Sequence, residues 1–172
     1  MDRELLNRAR AGDREAFELI VVAKGEPLFR TALAILGNEA DARDATQEAF
    51  ISSWRSFSRM RDLERFDAWL GRILINECRM TLRRRRRVRE VAVDETSDQL
   101  SRTFAPGAPV EEQSGFDESF SRLTVDQRAM LVLHHMHGYG VREIGAWLGI
   151  PAGTVKWRLS RARNALRKEL ES

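Results

Sequence analysis

The segment from Gly153 to Lys168 carries six basic side chains and no acidic one. Within it, Val155 and Leu159 recur at the spacing of a buried helical stripe. Basic, polar and aromatic residues lie on the opposite side of the predicted helix, flanked by two more arginines: Gly153, Lys156, Trp157, Ser160 and Arg161, with Arg158 and Arg163 at the flanks. Such side chains suit base edges in the major groove and the phosphates beside it, so the pattern predicts a DNA-binding helix. The alternative is a solvated amphipathic helix whose arginines provide only solubility.

The residues before this helix complete a supersecondary pattern. Thr124, followed three residues later by Gln127, predicts a capped helix start, and that helix should break at the glycines near 138–140. A short helix over 141–148 and a tight turn at 149–151 then precede the long basic helix. A short helix, a glycine-containing turn and a longer basic helix are typical of a helix-turn-helix, which reads duplex DNA.

The helix predicted over 41–56 has a polar face with an apolar residue at its centre. Alanines and aromatic residues occupy one side, which we expect to be buried. The other side holds Asp41, Asp44, Gln47, Glu48 and Arg55, with Ile51 among them. An apolar anchor inside a polar rim indicates a protein-binding surface, although single exposed apolar residues are also common.

Residues 54–87 mix aromatic side chains with arginine and end in five consecutive arginines. The stretch 57–65 reads as a loop between helices. Basic groups beside apolar pockets in such a loop suit single-stranded DNA, whose unstacked bases can be captured. Core packing explains most of the aromatic residues equally well, and helical spacing assigns Trp69 to the core.

Other kinds of chemistry find little support in the sequence. His134, His135 and His137 lie too close together at a helix end for the usual metal-ligand arrangements. Neither a phosphate-binding glycine loop after a strand nor a catalytic triad or carboxylate pair stands out. We therefore expect no catalytic residue, no metal, no cofactor and no enzyme activity. The single cysteine, Cys78, excludes an internal disulfide and suggests a reducing compartment.

Charge is strongly segregated along the 172 residues, although the net charge is only +3. The net charge is −3 over residues 1–50, +7 over 51–87, −4 over 88–115 and +3 over 116–172. Two basic blocks separated by an acidic one suggest two surfaces for a polyanion on one chain.

Helical spacing recurs over residues 1–87 and 116–172, while period-two alternation is almost absent. The sequence therefore predicts an all-α fold of two small helical domains. Residues 88–115 lack sustained periodicity, contain Pro106 and Pro109, and are longer than ordinary connections, so we interpret them as an acidic flexible linker. In the first domain we expect separate helices over about 13–21 and 27–36, and a last helix over about 66–87.

Apolar residues near the N-terminus form only a short run, over 19–23, which cannot span a bilayer. Charged residues begin at the second position, which does not fit a signal peptide. We expect a soluble, cytoplasmic protein without membrane insertion.

Several of these stretches resemble one known family. The run from Asp41 to Phe50, followed by Trp54 and then residues 66–73, resembles the second conserved region of sigma-70-type factors. Residues 142–151 and 153–163 resemble their fourth region. With only an irregular linker between the two, the chain resembles an extracytoplasmic-function (ECF) sigma factor.

The resemblance implies a bacterial transcription initiation subunit that directs core RNA polymerase to the promoters of a stress or signal regulon. The acidic helix, through Asp44, Gln47 and Glu48, would dock on a coiled coil of the largest polymerase subunit. The linker would thread toward the polymerase active centre and the RNA exit path. An anti-sigma factor is the usual further partner in this family.

The resemblance also assigns the promoter DNA contacts. A loop and a helix would melt and hold the −10 element, through Ser58, Arg59, Met60 and Arg61 on the loop and Asn76, Arg79 and Arg83 on the helix. The helix from Gly153 to Arg163 would read the −35 element, with Thr154 near the phosphates. Trp157 departs from the family, whose members usually carry a small residue there, and the His- and Gly-rich stretch 133–140 is also unusual.

Two other readings stay open at this point. The chain could be a stand-alone helix-turn-helix regulator that binds duplex DNA without polymerase, with its N-terminal domain serving as a sensor or dimerisation module. It could also be a protein-interaction adaptor, which would not need the basic helix. The acidic face of 41–56, together with the aromatic and arginine-rich segment after it, favours the sigma factor.

Overall fold

The computed structural model describes residues 1–95 and 114–171, and within these ranges all regular structure is helical. This confirms the predicted all-α fold. The N-terminal domain contains α1 (Arg3–Arg10), α2 (Arg14–Leu36), α3 (Glu39–Phe57) and, after a single 3₁₀ turn (Leu63–Arg65), α4 (Phe66–Glu95). The C-terminal domain contains α5 (Ser114–Ser121), α6 (Val125–Leu131) with a π-helical continuation (Val132–Met136), α7 (Val141–Leu148) and α8 (Ala152–Leu170).

Short polar side chains begin the N-terminal helices. The carboxylate of Asp13 accepts a hydrogen bond from the backbone N–H of Ala16 at 3.1 Å, which caps α2. Asn38 caps α3 in the same way. Gly37, at φ +67°, ends α2 in the left-handed conformation that glycine adopts most easily. These caps fix where α2 and α3 meet, and hence how the predicted polar face of α3 is oriented.

Residues 14–36 form one continuous helix, so the predicted separation into two helices is wrong. Pro27 lies inside α2, although proline removes a helical hydrogen bond. The hydroxyl of Thr31 donates to the Pro27 carbonyl at 2.8 Å. Ile20 before the proline and Leu28 after it are both buried in the same core. Packing on both sides of the proline therefore outweighs its local cost.

Helix α4 ends at Glu95, beyond the predicted end near Arg87. Arginine is a good helix former, so the basic run continues the helix instead of ending it. The first residues of the predicted linker thus belong to α4, and α5 begins at Ser114. The remainder of the predicted linker, 96–113, lies outside the described residues.

An aromatic cluster joins α3, α4 and the loop between them. The Phe57 ring centroid lies 5.3 Å from that of Phe66 and 5.5 Å from that of Trp69. Phe17 of α2 joins the cluster, with its centroid 4.9 Å from that of Trp54. Such aromatic pairs add to the free energy of area burial. They hold the two ends of the loop that carries the predicted −10 residues.

The two domains pack directly against each other. Trp147 of α7 lies on the backbone of Gly71 in α4, so closely that a Cβ at Gly71 would overlap the indole. Arg128 of α6 is buried and donates to the carbonyl of Ile35 at 2.6 Å. The sequence predicts two domains but no contact between them, because helical periodicity does not show which helices pack across a linker.

Candidate nucleic-acid and protein interfaces

Helix α8 presents the surface that the sequence predicts for duplex DNA. Val155, Leu159 and Ala162 are buried on its inner side. The outer side exposes Gly153, Lys156, Trp157, Ser160, Arg161 and Arg163. Thr154 and Arg158 are half-buried at the edges of this surface. The predicted residues therefore share one face of α8, and none of them is fully buried.

The turn before α8 positions that face. Gly149 ends α7 at φ +71°, and the N–H of Ile150 donates to the carbonyl of Gly145 at 2.9 Å. A Cβ at Gly145 would lie 2.7 Å from the Ile150 carbonyl oxygen, so only glycine lets the turn approach α7 this closely. The N–H groups of Thr154 and Val155 then donate to the Pro151 carbonyl. This is the helix-turn-helix that the sequence predicts.

Trp157 is the largest exposed side chain on α8, with 57% of its surface accessible. The guanidinium carbon of Arg161 lies 4.8 Å from the centre of its ring. The indole is not folded back onto α7 near Trp147, because Trp147 is buried against Gly71 and Tyr139 while Trp157 stays accessible. A contact between Trp157 and a base stays a prediction.

The loop after α3 exposes three of its four predicted −10 residues: Ser58, Arg59 and Arg61. Met60 is buried with 9% of its surface accessible, so its side chain packs in the core of the free protein. A contact between Met60 and DNA stays a prediction. The N–H of Met60 donates to the Phe57 carbonyl at 2.9 Å, and this turn directs the side chain into the core. An apolar residue between two arginines is the sequence signal for that burial.

The predicted −10 residues on α4 differ in their accessibility. Asn76 and Arg83 are exposed, whereas Arg79 is half-buried. Arg79 donates to the Asn76 side chain at 2.6 Å and forms an ion pair with Asp126 of α6 at 2.7 Å. The C-terminal domain therefore already occupies part of the surface that the sequence predicts for DNA.

Cys78 is buried on α4 and directly precedes Arg79 in the sequence. Burial, together with the nearby Glu77, raises the pKa of its thiol to about 12, while Arg128 opposes the shift. The thiol is therefore protonated at neutral pH, and its low reactivity is that of a core residue.

The polar face of α3 is largely as predicted. Asp44, Gln47 and Glu48 are exposed. Ile51 is half-buried and lines a shallow groove between α2 and α3, together with Val21, Glu26, Phe29, Arg43, Thr46, Gln47 and Phe50. Asp41 is half-buried and forms an ion pair with Arg85 of α4. The carboxylate of Asp41 is thus engaged within the domain, because α4 extends far enough for Arg85 to reach it.

The three histidines contact protein groups. His134 Nδ1 lies 3.1 Å from the Tyr139 carbonyl oxygen, and the Nε of Arg163 lies 3.4 Å from the Nε2 of His135. His137 Nε2 lies 3.0 Å from the hydroxyl of Thr31, so this histidine joins the two domains. Within residues 1–95 and 114–171, no group of three metal-ligating side chains comes together.

Family models match both domains. The sigma-70 region 2 model matches residues 21–88, and the sigma-70 region 4 model matches residues 115–166. Together they cover the N-terminal domain from the middle of α2 to the basic run of α4, and nearly the whole C-terminal domain. These matches define the class of the protein, a two-region sigma-70-type factor.

Curated relatives identify the group within that class. The chain is 34% identical to the ECF RNA polymerase sigma factor SigM of Mycobacterium tuberculosis, over 98% of this chain and 84% of that protein. It is 30% identical to the ECF RNA polymerase sigma factor SigW of Bacillus subtilis, over 99% and 97% respectively. The chain therefore belongs to the ECF RNA polymerase sigma factors, which are transcription initiation factors.

Solved structures support the same assignment. The chain superposes on CnrH, solved in complex with the cytosolic domain of CnrY, with a TM-score of 0.67, 26% identity and coverage of 99% of this chain and 97% of that one. For RpoE of Bartonella quintana, solved with the anti-sigma factor NepR, the TM-score is 0.66 at 25% identity, covering 90% and 96%. Among the described helices of this chain, none is long and apolar enough to cross a membrane.

Proposed function

We propose that each domain of this sigma factor binds one promoter element, and that α3 docks the protein on core RNA polymerase. The observation that carries the proposal is the outer face of α8, the second helix of the helix-turn-helix, which is accessible, basic and free of acidic residues from Gly153 to Lys168. Lys156, Ser160 and Arg161 on that face supply donors for base edges in the −35 major groove. Thr154 and the flanking Arg158 and Arg163 contact phosphates.

Region 2 binds the −10 element in this proposal. Ser58, Arg59 and Arg61 lie on a loop whose ends are held by the aromatic cluster. Exposed arginines on such a loop attract the backbone of a single strand, whose unstacked bases are then free to contact the protein. Asn76, Arg79 and Arg83 on α4 extend this surface and hold the strand after melting.

The polar face of α3 docks on the polymerase. Asp44 and Glu48 provide the charged rim, and the groove lined by Ile51 provides the apolar centre. Gln47 adds donors and an acceptor for the same contact. The carboxylate of Asp41 is paired with Arg85, so Asp41 holds the Arg85 side chain in place instead of contacting the polymerase directly. The chain acts in the cytoplasm, where the polymerase works, and carries no catalytic step of its own.

An anti-sigma factor is the proposed regulatory partner. Support comes from the solved relatives, of which RpoE was crystallised with the anti-sigma factor NepR and CnrH with the cytosolic domain of CnrY. The groove between α2 and α3 gives such a partner an accessible apolar surface on this chain.

The test is run-off transcription on fragments of genomic DNA, with core polymerase alone and with core polymerase plus the protein. We expect discrete transcripts only when both are present. Double replacement of Lys156 and Arg161 by alanine should remove them, while Lys168→Ala, a cation at the far end of the same helix, should not. Specific binding to duplex fragments without polymerase, and no transcripts with it, would instead support the stand-alone regulator.

A further inference from the structure

We propose that Met80 selects thymine in the −10 strand, by packing its thioether side chain against the C5 methyl group of an unstacked base. The inference deepens the −10 role that we propose for α4, and it rests on that role. It concerns the preference for one base over another, whereas Asn76, Arg79 and Arg83 supply polar contacts to the same strand.

Met80 lies in the middle of the outward face of α4. Leu74 and Cys78 are buried on the inner side of this helix. The opposite side carries one stripe of exposed residues, which recur at spacings of four, three and four: Asn76, Met80, Arg83 and Arg87. Met80 is therefore about one helical turn from each of two residues that we propose for the strand.

The side chain of Met80 is accessible although it is apolar, with 51% of its surface exposed. Region 4 packs on a neighbouring side of α4, where Arg79 forms its ion pair with Asp126. That packing leaves Met80 open to a ligand. Because Met80 lies between Asn76 and Arg83 on one stripe, a strand that contacts both of them passes over the methionine.

The thioether suits one base better than the others. Its sulfur is only a weak acceptor and it has no donor, so it cannot pair with the amino and carbonyl groups on a base edge. It does pack well against apolar groups and flat rings. Thymine is the DNA base that carries a methyl group on its edge, whereas cytosine presents an amino donor there. A single strand leaves this methyl group free to contact the protein.

The other residues of the stripe do not distinguish a methylated base from an unmethylated one. Arg83 and Arg87 attract phosphates, which are the same at every nucleotide. The side-chain oxygen of Asn76 accepts a hydrogen bond from Arg79 at 2.6 Å, and its amide group forms hydrogen bonds, not apolar contacts. On this stripe, Met80 is thus the group that can recognise the methyl.

Thymine and uracil differ only in that methyl group, which provides the test. Fluorescence anisotropy gives the affinity of the full-length protein for fluorescein-labelled oligo(dT) and oligo(dU) strands of about 20 nucleotides, at low salt, where phosphate contacts are strongest. We expect the wild type to bind oligo(dT) about fourfold more tightly than oligo(dU), as for one buried methyl group. Met80→Ala should bring the ratio of the two affinities close to one, while its affinity for oligo(dU) stays near that of the wild type.

Three further variants separate recognition of the methyl from other effects. Met80→Leu keeps an apolar side chain and should keep most of the preference. Met136→Ala removes another exposed methionine, from region 4, and should match the wild type. Asn76→Ala should weaken the binding of both strands by the same factor. Circular dichroism verifies that each variant is folded, as expected for changes at exposed positions.

The possible results distinguish the inference from the proposed −10 role. A ratio near one in the wild type, or the same ratio in the wild type and in Met80→Ala, would overturn the inference while binding of both strands still supported the −10 surface. An equal loss of affinity for both strands in Met80→Ala would overturn it as well, since a merely structural residue behaves in that way. Failure of the wild type to bind either strand would contradict the −10 role itself, and the inference with it.

Discussion

The guanidinium of Arg161 lies over the indole of Trp157, with its central carbon 4.8 Å from the ring centre. The two residues are one helical turn apart on the exposed face of α8. At an exposed site such a cation–π contact contributes about 0.5–1 kcal/mol. The indole therefore restrains the Arg161 side chain on the face of α8 that we propose for DNA.

Trp157→Ser should change the −35 preference of the protein without unfolding region 4. We expect the free energy of unfolding to stay within about 0.5 kcal/mol of the wild type, because the side chain is exposed. Removal of a base-contacting side chain should reduce discrimination by roughly 1–3 kcal/mol for each base it reads. Competition among −35 sequence variants in the polymerase complex measures the preference, and Trp157→Phe, which keeps an aromatic ring under Arg161, should preserve it. Reduced thermal stability with unchanged preference would contradict a role in DNA contact.

Charge reversal on α3 should weaken binding to core polymerase. Asp44→Arg and Glu48→Arg each place a cation at the rim of the proposed docking surface, and we expect binding to weaken by about 2–5 kcal/mol if the carboxylate is buried in the complex. Both residues are exposed, so the free protein should keep its stability. Asp117→Arg makes the same charge change on α5 and serves as the control. Wild-type affinity in both α3 variants, measured by titration with labelled core enzyme, would remove this helix as the docking surface.

Met60 should affect stability, and its neighbours should affect DNA binding. Met60→Ala should lower the free energy of unfolding by about 2–5 kcal/mol, as for other buried large-to-small changes. Met60→Leu should cost less than about 1.5 kcal/mol. Arg59→Ala and Arg61→Ala should leave stability within about 0.5 kcal/mol but weaken binding to single-stranded DNA. Denaturant titration and strand-binding anisotropy separate the two effects, and a stable Met60→Ala protein would contradict the burial.

Two histidines of the C-terminal domain should make stability depend on pH. Partial burial lowers the pKa of His137, and desolvation, together with His134 and Arg163, lowers the pKa of His135. The unfolded chain then binds more protons than the folded protein near the ordinary histidine pKa, so the free energy of unfolding decreases as the pH falls through that range. Denaturant midpoints at successive pH values should show this decrease in the wild type. Replacing both His135 and His137 by glutamine should reduce the dependence of the midpoint on pH. The same dependence in this double variant would contradict the assignment of the effect to these two histidines.

Cys78 should react with thiol reagents only after unfolding. Its pKa is raised to about 12, mainly by burial, so at pH 8 the thiol of the folded protein is almost entirely protonated. We expect a colorimetric disulfide reagent to react slowly with the native protein and rapidly in denaturant. Rapid reaction of the native protein, with circular dichroism showing it folded, would contradict the burial of α4 at this position.

Local sequence signals account for much of the fold. The Asp13 cap, the Thr124–Gln127 capping box and the Gly149 end of α7 all follow from short-range hydrogen bonding between neighbouring residues. The accessible face of α8 follows from helical periodicity in the same way. Recognition of the sigma-factor regions adds the order of the two domains.

Long-range packing explains what sequence reasoning missed. Pro27 predicts a helix start, but core contacts on both of its sides keep α2 continuous. Met60 lies among polar loop residues, yet a turn buries it. Gly71 reads as an ordinary helical glycine, and its contact with Trp147 depends on a residue 76 positions later in the chain. Periodicity within one helix contains no information about such a partner.

The extension of α4 to Glu95 sets how far apart the two domains can move. Eighteen residues, 96–113, separate α4 from α5, and a chain of that length spans at most about 60 Å. The −10 and −35 elements are about 25 base pairs apart by their names, or roughly 85 Å along B-DNA. Residues 88–95 rise only about 12 Å as helix, against about 27 Å if extended. Because residues 88–95 are helical, the connection between the two domains has a shorter maximum length than a fully extended one. We therefore expect this sigma factor to tolerate a narrower range of spacings between the two promoter elements.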